Sequence, residues 1–544
     1  MNYRKKLNTL VILMIAALSQ SPAQPKNAPQ RLSSWFIGPL SCIKAIAIDV
    51  INPHPDSKVQ PFVIPDTLLD AEIMGKKIAQ LHHNAQRSTY PFLIGASTSE
   101  HQSSKRCTPE ICSWSLYAQQ QKLPQPHNQE AMLNLADNYE AYFAQAKELG
   151  LNSLRFSIEW ALVEPKEGFI NQEELDRYAD MTVCAIKNDI TPVICFHHYT
   201  DPCWFIKKGG FESKKNIDHF VRFTTLIYTT IINALDQNTE IHEKISTMHP
   251  ILWATFNNPS GYAFRGYYVN DGPPSDSSKK SINWVGTVIK NMMEAHVQVY
   301  QSLNAVYTES SVNKKYIKKP FIGFLKNMAI LDASEKNLMH TLLSPISRIA
   351  NSVANLIANE SIFKFFTTGT FKINVPTQIS LHHNNKLAPQ SLDFIGVNFY
   401  SNIYTYMGKK ITETNPAYAT DNSTYRIYPQ GLYRAISIVS RKIATPLNIP
   451  MYVTENGIAT NDDAKRERFY KQYMYALEKS IADGYDVRGY LTWTLADNYE
   501  WPTHDNTKKS YGLCSINPEN DAILHLKRGS LWFSQFAHAI VGDC

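Results

Sequence analysis

From about residue 89 onward, short apolar runs recur, each followed by a longer amphipathic stretch, which is the rhythm of successive βα units around a parallel sheet. In one such unit Leu135, Tyr139, Tyr142, Ala146 and Leu149 repeat at helical spacing, Gly150 stops the helix, and Asn152–Ile158 alternates as a strand. Along that strand Leu154, Phe156 and Ile158 share one face and Arg155 and Ser157 the other. An arginine in a barrel interior needs a carboxylate partner. Further strands are expected at Pro91–Ser97, Thr191–His198, Ile251–Asn257, Pro320–Leu325, Asp393–Phe399, Pro450–Glu455 and Arg488–Thr494. Eight strands alternating with helices predict an α/β fold, a single enlarged (β/α)8 TIM barrel over residues 89–544. The stretches Gly408–Arg426 and Asp332–Lys372 read as long insertions after strands, where barrel enzymes carry substrate loops. Residues 24–88 precede the barrel as an extension without an assigned role.

Composition narrows the classes of function. The net charge of +6 comes from 54 basic and 48 acidic residues without long like-charged blocks, which gives no footprint for nucleic acid. The 29 Tyr and 9 Trp suit a carbohydrate site, since sugars stack their C–H faces on rings, and equally suit an ordinary core. Arg4, Lys5 and Lys6 precede an apolar run from Leu10 to Leu18, and Ser21 and Ala23 supply small residues, so residues 1–23 read as an export signal. The run is shorter than the roughly 20 residues of a membrane-spanning helix. The expected product is therefore exported with no stable span, the alternative being an uncleaved N-terminal anchor. Residues 35–51 are also apolar, but Pro39, Lys44 and Asp49 favour a surface or barrel-contacting helix. Among the eight cysteines, Cys107 and Cys112 close a short loop that a disulfide could bridge, whereas Cys184, Cys195 and Cys203 read as small buried residues. No cysteine–histidine spacing resembles a metal site, and neither metal nor cofactor is expected.

Polar residues gather at the C-terminal ends of the expected strands: Gln102, Arg155, His198, Asn257 with Asn258, Asn398 with Tyr400, Glu455, and Trp493 followed by Glu500 and Trp501. A barrel keeps its site at that end. The runs GASTSEHQ, LRFSIEW, ICFHHYTDPCWF, WATFNNP, DFIGVNFYS, YVTENG and GYLTWTLADNYEW resemble, in order, the signatures of family 1 glycoside hydrolases. The resemblance covers roughly residues 89–535 and implies a retaining β-glycosidase of the β-glucosidase type, with a β-linked carbohydrate as partner. It makes Glu455 the nucleophile, flanked by Arg155 and Tyr400, and places Asn398 in the same constellation. Gln102, His198, Asn257, Glu500 and Trp501 match the residues that bind the hydroxyls of the non-reducing sugar, and Trp493 the ring beneath it.

The departure from the family pattern lies at Asn258, where the acid/base glutamate is expected. An amide can neither protonate a leaving oxygen nor activate water. Three readings follow: an enzyme for substrates with good leaving groups, as in plant thioglucosidases; a stand-in carboxylate among Asp201, Glu100 and Asp271; or a sugar-binding pseudo-enzyme of receptor type. The family's glutamate-glycine pair after Gln102 is replaced by Ser104 and Lys105. Beyond Trp501, Lys508 and Lys509 resemble lysines of relatives specific for 6-phosphorylated sugars, while the Glu500–Trp501 pair favours an unphosphorylated one.

Overall fold

The computed structural model describes residues 62–542 except 125–132, 334–337, 376–377, 407–408, 411–416, 422–424, 502–508, 518 and 521. The expected export signal, the segment 35–51 and Lys508 lie outside the described residues. No helix among the described residues is long and apolar enough to cross a membrane.

Eight strands close into a parallel barrel: β1 (Leu93–Ser97), β2 (Ser153–Ser157), β3 (Thr191–Cys195), β4 (Leu252–Asn257), β5 (Phe321–Asn327), β6 (Phe394–Asn398), β7 (Met451–Asn456) and β8 (Val487–Trp493). Each pairs with its neighbours in sequence, and β8 closes on β1 with Leu93 opposite Gly489. Every expected strand is present, with ends displaced by three residues or fewer. Leu93, Val193, Cys195, Leu252, Ala254, Leu325, Phe394, Tyr452 and Leu491 form one buried cluster. Val193 with Cys195 and Leu252 with Ala254 are two apart, the alternation a strand imposes. In β2 the alternate set faces the helices: the Phe156 ring lies 6.3 Å from Phe143, on the helix Leu135–Glu148. The expected Tyr142 is buried in that helix, and beside it Phe143 rather than the half-buried Tyr139; the helix ends where Gly150 takes φ +79°.

Two irregularities shape the rim. The pairing of β7 with β6 shifts register between Val453 and Glu455, and that of β4 with β5 between Ala254 and Asn257. Such shifts re-aim side chains at a strand end, and both fall where site residues are expected.

The described residues divide into two compact units. The barrel lies in residues 62–330, 355–403 and 417–542. The smaller unit, 331–333, 338–354, 404–406 and 409–410, is drawn from the regions of the two expected insertions, and within it Thr405 Oγ1 donates to Asn351 Oδ1 at 2.9 Å. The rest of the expected insertion Asp332–Lys372, with the helix Ser361–Thr368, belongs with the barrel, as does the antiparallel pair Thr370–Val375 and Ile379–Asn384, which runs past its expected end.

The extension before the barrel supplies a helix, Ala71–Asn84, capped by Asp70 Oδ1 accepting from Ile73 N (2.9 Å). It buries Met74 and Ile78. Its partner is the C-terminal helix Leu531–Val541: a Cβ at Gly75 would meet Ala539 Cβ at 2.7 Å, and Trp532 Nε1 donates to Leu69 O at 2.7 Å.

Candidate active site

A cavity of about 340 Å³ opens at the C-terminal ends of the strands. Ten of the eleven expected site residues line it; the eleventh, Arg155, lies beneath it. That arrangement begins with β2, whose inner face carries a wholly buried guanidinium. Arg155 Nη2 donates to Glu455 Oε1 at 2.6 Å, and Tyr400 Oη donates to Glu455 Oε2 at 2.7 Å. Each oxygen of Glu455, only 6% exposed, is thus held by its own donor. Charge-assisted bonds of this kind are about twice as strong as neutral ones. Burial, and then the neighbouring Glu455 charge, push the Tyr400 hydroxyl well above its ordinary pKa, so it remains a donor. The same guanidinium lies 5.7 Å from the centre of the Trp493 ring, which fixes the floor of the cavity to the carboxylate's partner.

A second group of bonds centres on Asn257, the last residue of β4. Its Oδ1 accepts from Asn398 Nδ2 (2.8 Å) and Arg155 Nη1 (3.4 Å), and its Nδ2 faces His198 Nε2 at 3.0 Å. Asn398 in turn accepts from Thr454 Oγ1 (2.7 Å). With an amide donor on Nε2, the neutral ring carries its proton on Nδ1, a buried atom with no partner among the described residues. Burial, followed by the Arg155 charge, lowers the His198 pKa well below 6.5, so the ring stays neutral.

Gln102 is held by Ser99 Oγ, which donates to its Oε1 (2.9 Å), while its Nε2 donates to Tyr499 O (2.9 Å). The carboxyl of half-buried Glu500 is pushed up to about 8 by burial, against the pull of the Trp493 indole N–H (3.2 Å) and of the Lys509 charge. Trp501 lies face to face with His101, with centroids 5.5 Å apart at 6°, and 4.6 Å from Trp114.

Asn258 follows β4 in the left-handed conformation, φ +46° and ψ 62°, and caps the helix Pro259–Phe264. Its Oδ1 accepts from Gly261 N (3.0 Å), while Nδ2 donates to Tyr199 Oη (2.5 Å). Asparagine is among the few side chains that tolerate this backbone, and it is a preferred cap.

Of the three carboxylates weighed as stand-ins, the structure keeps only Asp271 in the cavity, where Arg265 Nε holds it at 3.1 Å. Asp201 is buried between His197 Nε2 (3.1 Å) and Tyr262 Oη (2.8 Å), and Glu100 is buried against Arg177 (3.1 Å). Neither lines the cavity. Ser104 and Lys105 precede Arg106, which anchors this loop to Glu174 (2.5 Å) and to Asp137. Sequence reasoning missed Tyr199, one residue beyond His198, and Tyr425, which stacks on Tyr400 at 5.1 Å and 10°.

The model of glycosyl hydrolase family 1 matches residues 90–540. The chain belongs to that family. Its relatives include a 6-phospho-β-galactosidase of Clostridium acetobutylicum, 24% identical over 82% of this chain and 96% of that protein. A β-glucosidase of Arabidopsis thaliana is 25% identical over 84% of this chain and 92% of its own length. Among solved structures, the β-glycosidase of Pyrococcus horikoshii superposes with a TM-score of 0.64 at 26% identity, covering 82% of this chain and 94% of that one. A β-glucosidase of Exiguobacterium marinum, at 20% identity, gives 0.66 over 83% and 98% and shares the fold. Family 1 membership, the (β/α)8 barrel and the β-glycosidase character of these relatives agree with one another.

Proposed function

We propose that this chain is a retaining β-glycosidase of narrowed competence, which takes a β-linked, unphosphorylated hexoside in the strand-end cavity and attacks its anomeric carbon with Glu455. The observation that carries this reading is the double hold on Glu455 by Arg155 and Tyr400. It fixes the position and orientation of both carboxylate oxygens, as a nucleophile requires. Gln102, His198, Asn257, Glu500 and Trp501 serve as hydroxyl binders and Trp493 as the apolar floor. Lys509 offsets the nearby Glu500 carboxyl, which disfavours reading it as a phosphate site. Export of the mature chain after cleavage near Ala23 belongs to the same proposal and rests on the N-terminal sequence.

Asn258 stands in for the acid/base glutamate and is engaged at both ends of its amide. Loss of general acid–base help costs a factor of about 10² to 10⁴. Turnover is then confined to substrates whose leaving group needs no proton. The same engagement of Asn258 favours a second reading, a glycan-binding protein without turnover. Hydrolysis of an activated aryl β-glucoside, with and without azide, separates the two. Azide-stimulated turnover by the parent, with Asn258→Glu gaining activity on unactivated glycosides, supports the enzyme. Silence of both folded proteins, with saturable glycan affinity abolished in Gln102→Ala and Glu500→Ala, supports the binding protein.

A further inference from the structure

Beside the sugar cavity, four side chains from three separate segments converge out of reach of solvent. His101 belongs to the short turn that follows β1, Cys107 and Cys112 bound the next loop, and Glu159 follows β2. All four are 2% exposed or less. One donor atom from each lies within 4.8 Å of every other. Cys107 and Cys112 are free thiols, and Cys112 Sγ is 3.5 Å from His101 Nδ1.

From these contacts we infer that His101, Cys107, Cys112 and Glu159 form a closed tetrahedral site for a divalent zinc-type cation. The metrics suit it. With metal–sulfur and metal–nitrogen bonds of about 2.3 and 2.0–2.1 Å at a tetrahedral angle, the sulfur–nitrogen edge is roughly 3.6 Å. Two thiolates with an imidazole select zinc over magnesium or calcium, and four protein ligands leave no open position for catalysis. Charge supplies an independent argument. Glu159 is buried and, among the described residues, pairs with no lysine or arginine. A buried carboxyl without a basic partner persists either as the neutral acid or bound to a cation, and a divalent ion beside two thiols supplies the second. Outer groups already orient the ligands: Glu159 Oε2 accepts from Thr200 Oγ1 (2.7 Å), and the chain just after Cys112 is tied by Ser113 N donating to Asp201 O (2.9 Å).

The site reaches the sugar cavity through one ring. His101 stacks on Trp501, which lines that cavity. A metal that fixes the imidazole plane therefore fixes the indole against it. The role is positioning, and it holds whether or not the chain turns over a glycoside.

The test is metal analysis of the natively folded full chain. The expected result is one zinc per chain, removed by a strong chelator and restored by one equivalent of added zinc. Cobalt(II) in its place should give a thiolate-to-cobalt charge-transfer band. Cys112→Ser should lose that band, Glu159→Gln should bind zinc at least about tenfold more weakly, and Cys184→Ser should retain full stoichiometry. A Cys107–Cys112 disulfide found by peptide mapping of the unreduced native protein overturns the inference. So does a reduced, folded parent that takes up neither zinc nor cobalt, a result that does not depend on whether any variant folds.

Discussion

Asn258 and Tyr199 both adopt positive φ, +46° and +70°, and face each other through a 2.5 Å bond from the amide to the phenol. Asn258 directly follows β4 and Tyr199 lies four residues past β3, so the bond ties the rim of β3 to that of β4. Replacing Asn258 by Ala removes a helix cap and places an intolerant residue in the left-handed region, at a cost of roughly 1–3 kcal/mol. Asn258→Asp preserves the acceptor for Gly261 N and should stay within about 1 kcal/mol of the parent. Chemical denaturation of the three proteins measures both. Equal stability of Ala and Asn at this position would remove the cap from the account.

The ion pair beneath the cavity makes a separate prediction. Removing one member of a buried pair costs roughly 3–5 kcal/mol, so Arg155→Met should melt well below the parent. Tyr400→Phe removes a hydrogen bond to a charged group, about 1.5–3 kcal/mol. A fluorinated activated glycoside should still label Glu455 in that variant, about 10- to 100-fold more slowly, as peptide mass mapping would show. Labelling of any other carboxylate would displace Glu455 from its role.

Glu500 gives stability a pH dependence of known sign. Its carboxyl is raised to about 8 in the folded chain, against 4.5 ordinarily. Between those values the unfolded chain has lost the proton that the folded chain keeps, so unfolding releases a proton and stability falls as pH rises. Below 4.5 and above 8 this contribution is flat. Denaturation midpoints should therefore decline from pH 5 to 8 more steeply in the parent than in Glu500→Gln. Parallel profiles would show that Glu500 ionises normally.

The contact of β1 with β2 is tight enough to test by a single methyl group. A Cβ at Gly95 would lie 2.0 Å from Ser153 O, a backbone atom that cannot give way. Gly95→Ala should cost roughly 1–3 kcal/mol, read from urea midpoints. A neutral result would mean that the two strands can separate without loss.

Much of this was legible before any coordinates. Eight apolar runs marked eight strands, because a parallel strand must be apolar to be covered on both sides. Arg155 on the inner face announced a carboxylate partner, and Glu455 is that partner. What escaped depends on geometry that periodicity does not carry. The register shift ahead of Glu455 cannot be read from alternation, which would have continued unbroken. Asp201 and Glu100 stood at the right barrel end but turned to His197 and Arg177, a choice made by tertiary packing. The His101, Cys107, Cys112 and Glu159 cluster had no motif to betray it, since its members span 58 positions and three segments.

The bond from Trp532 to the Leu69 carbonyl joins residues 463 positions apart. Its two helices enclose in sequence almost everything that forms the barrel. During synthesis the helix Ala71–Asn84 emerges before every barrel strand and Leu531–Val541 after them, so the face around Gly75 that meets Ala539 stays uncovered until the final strand has been delivered. The contact is the clasp of the fold, closed only once the whole barrel sequence lies between its two halves.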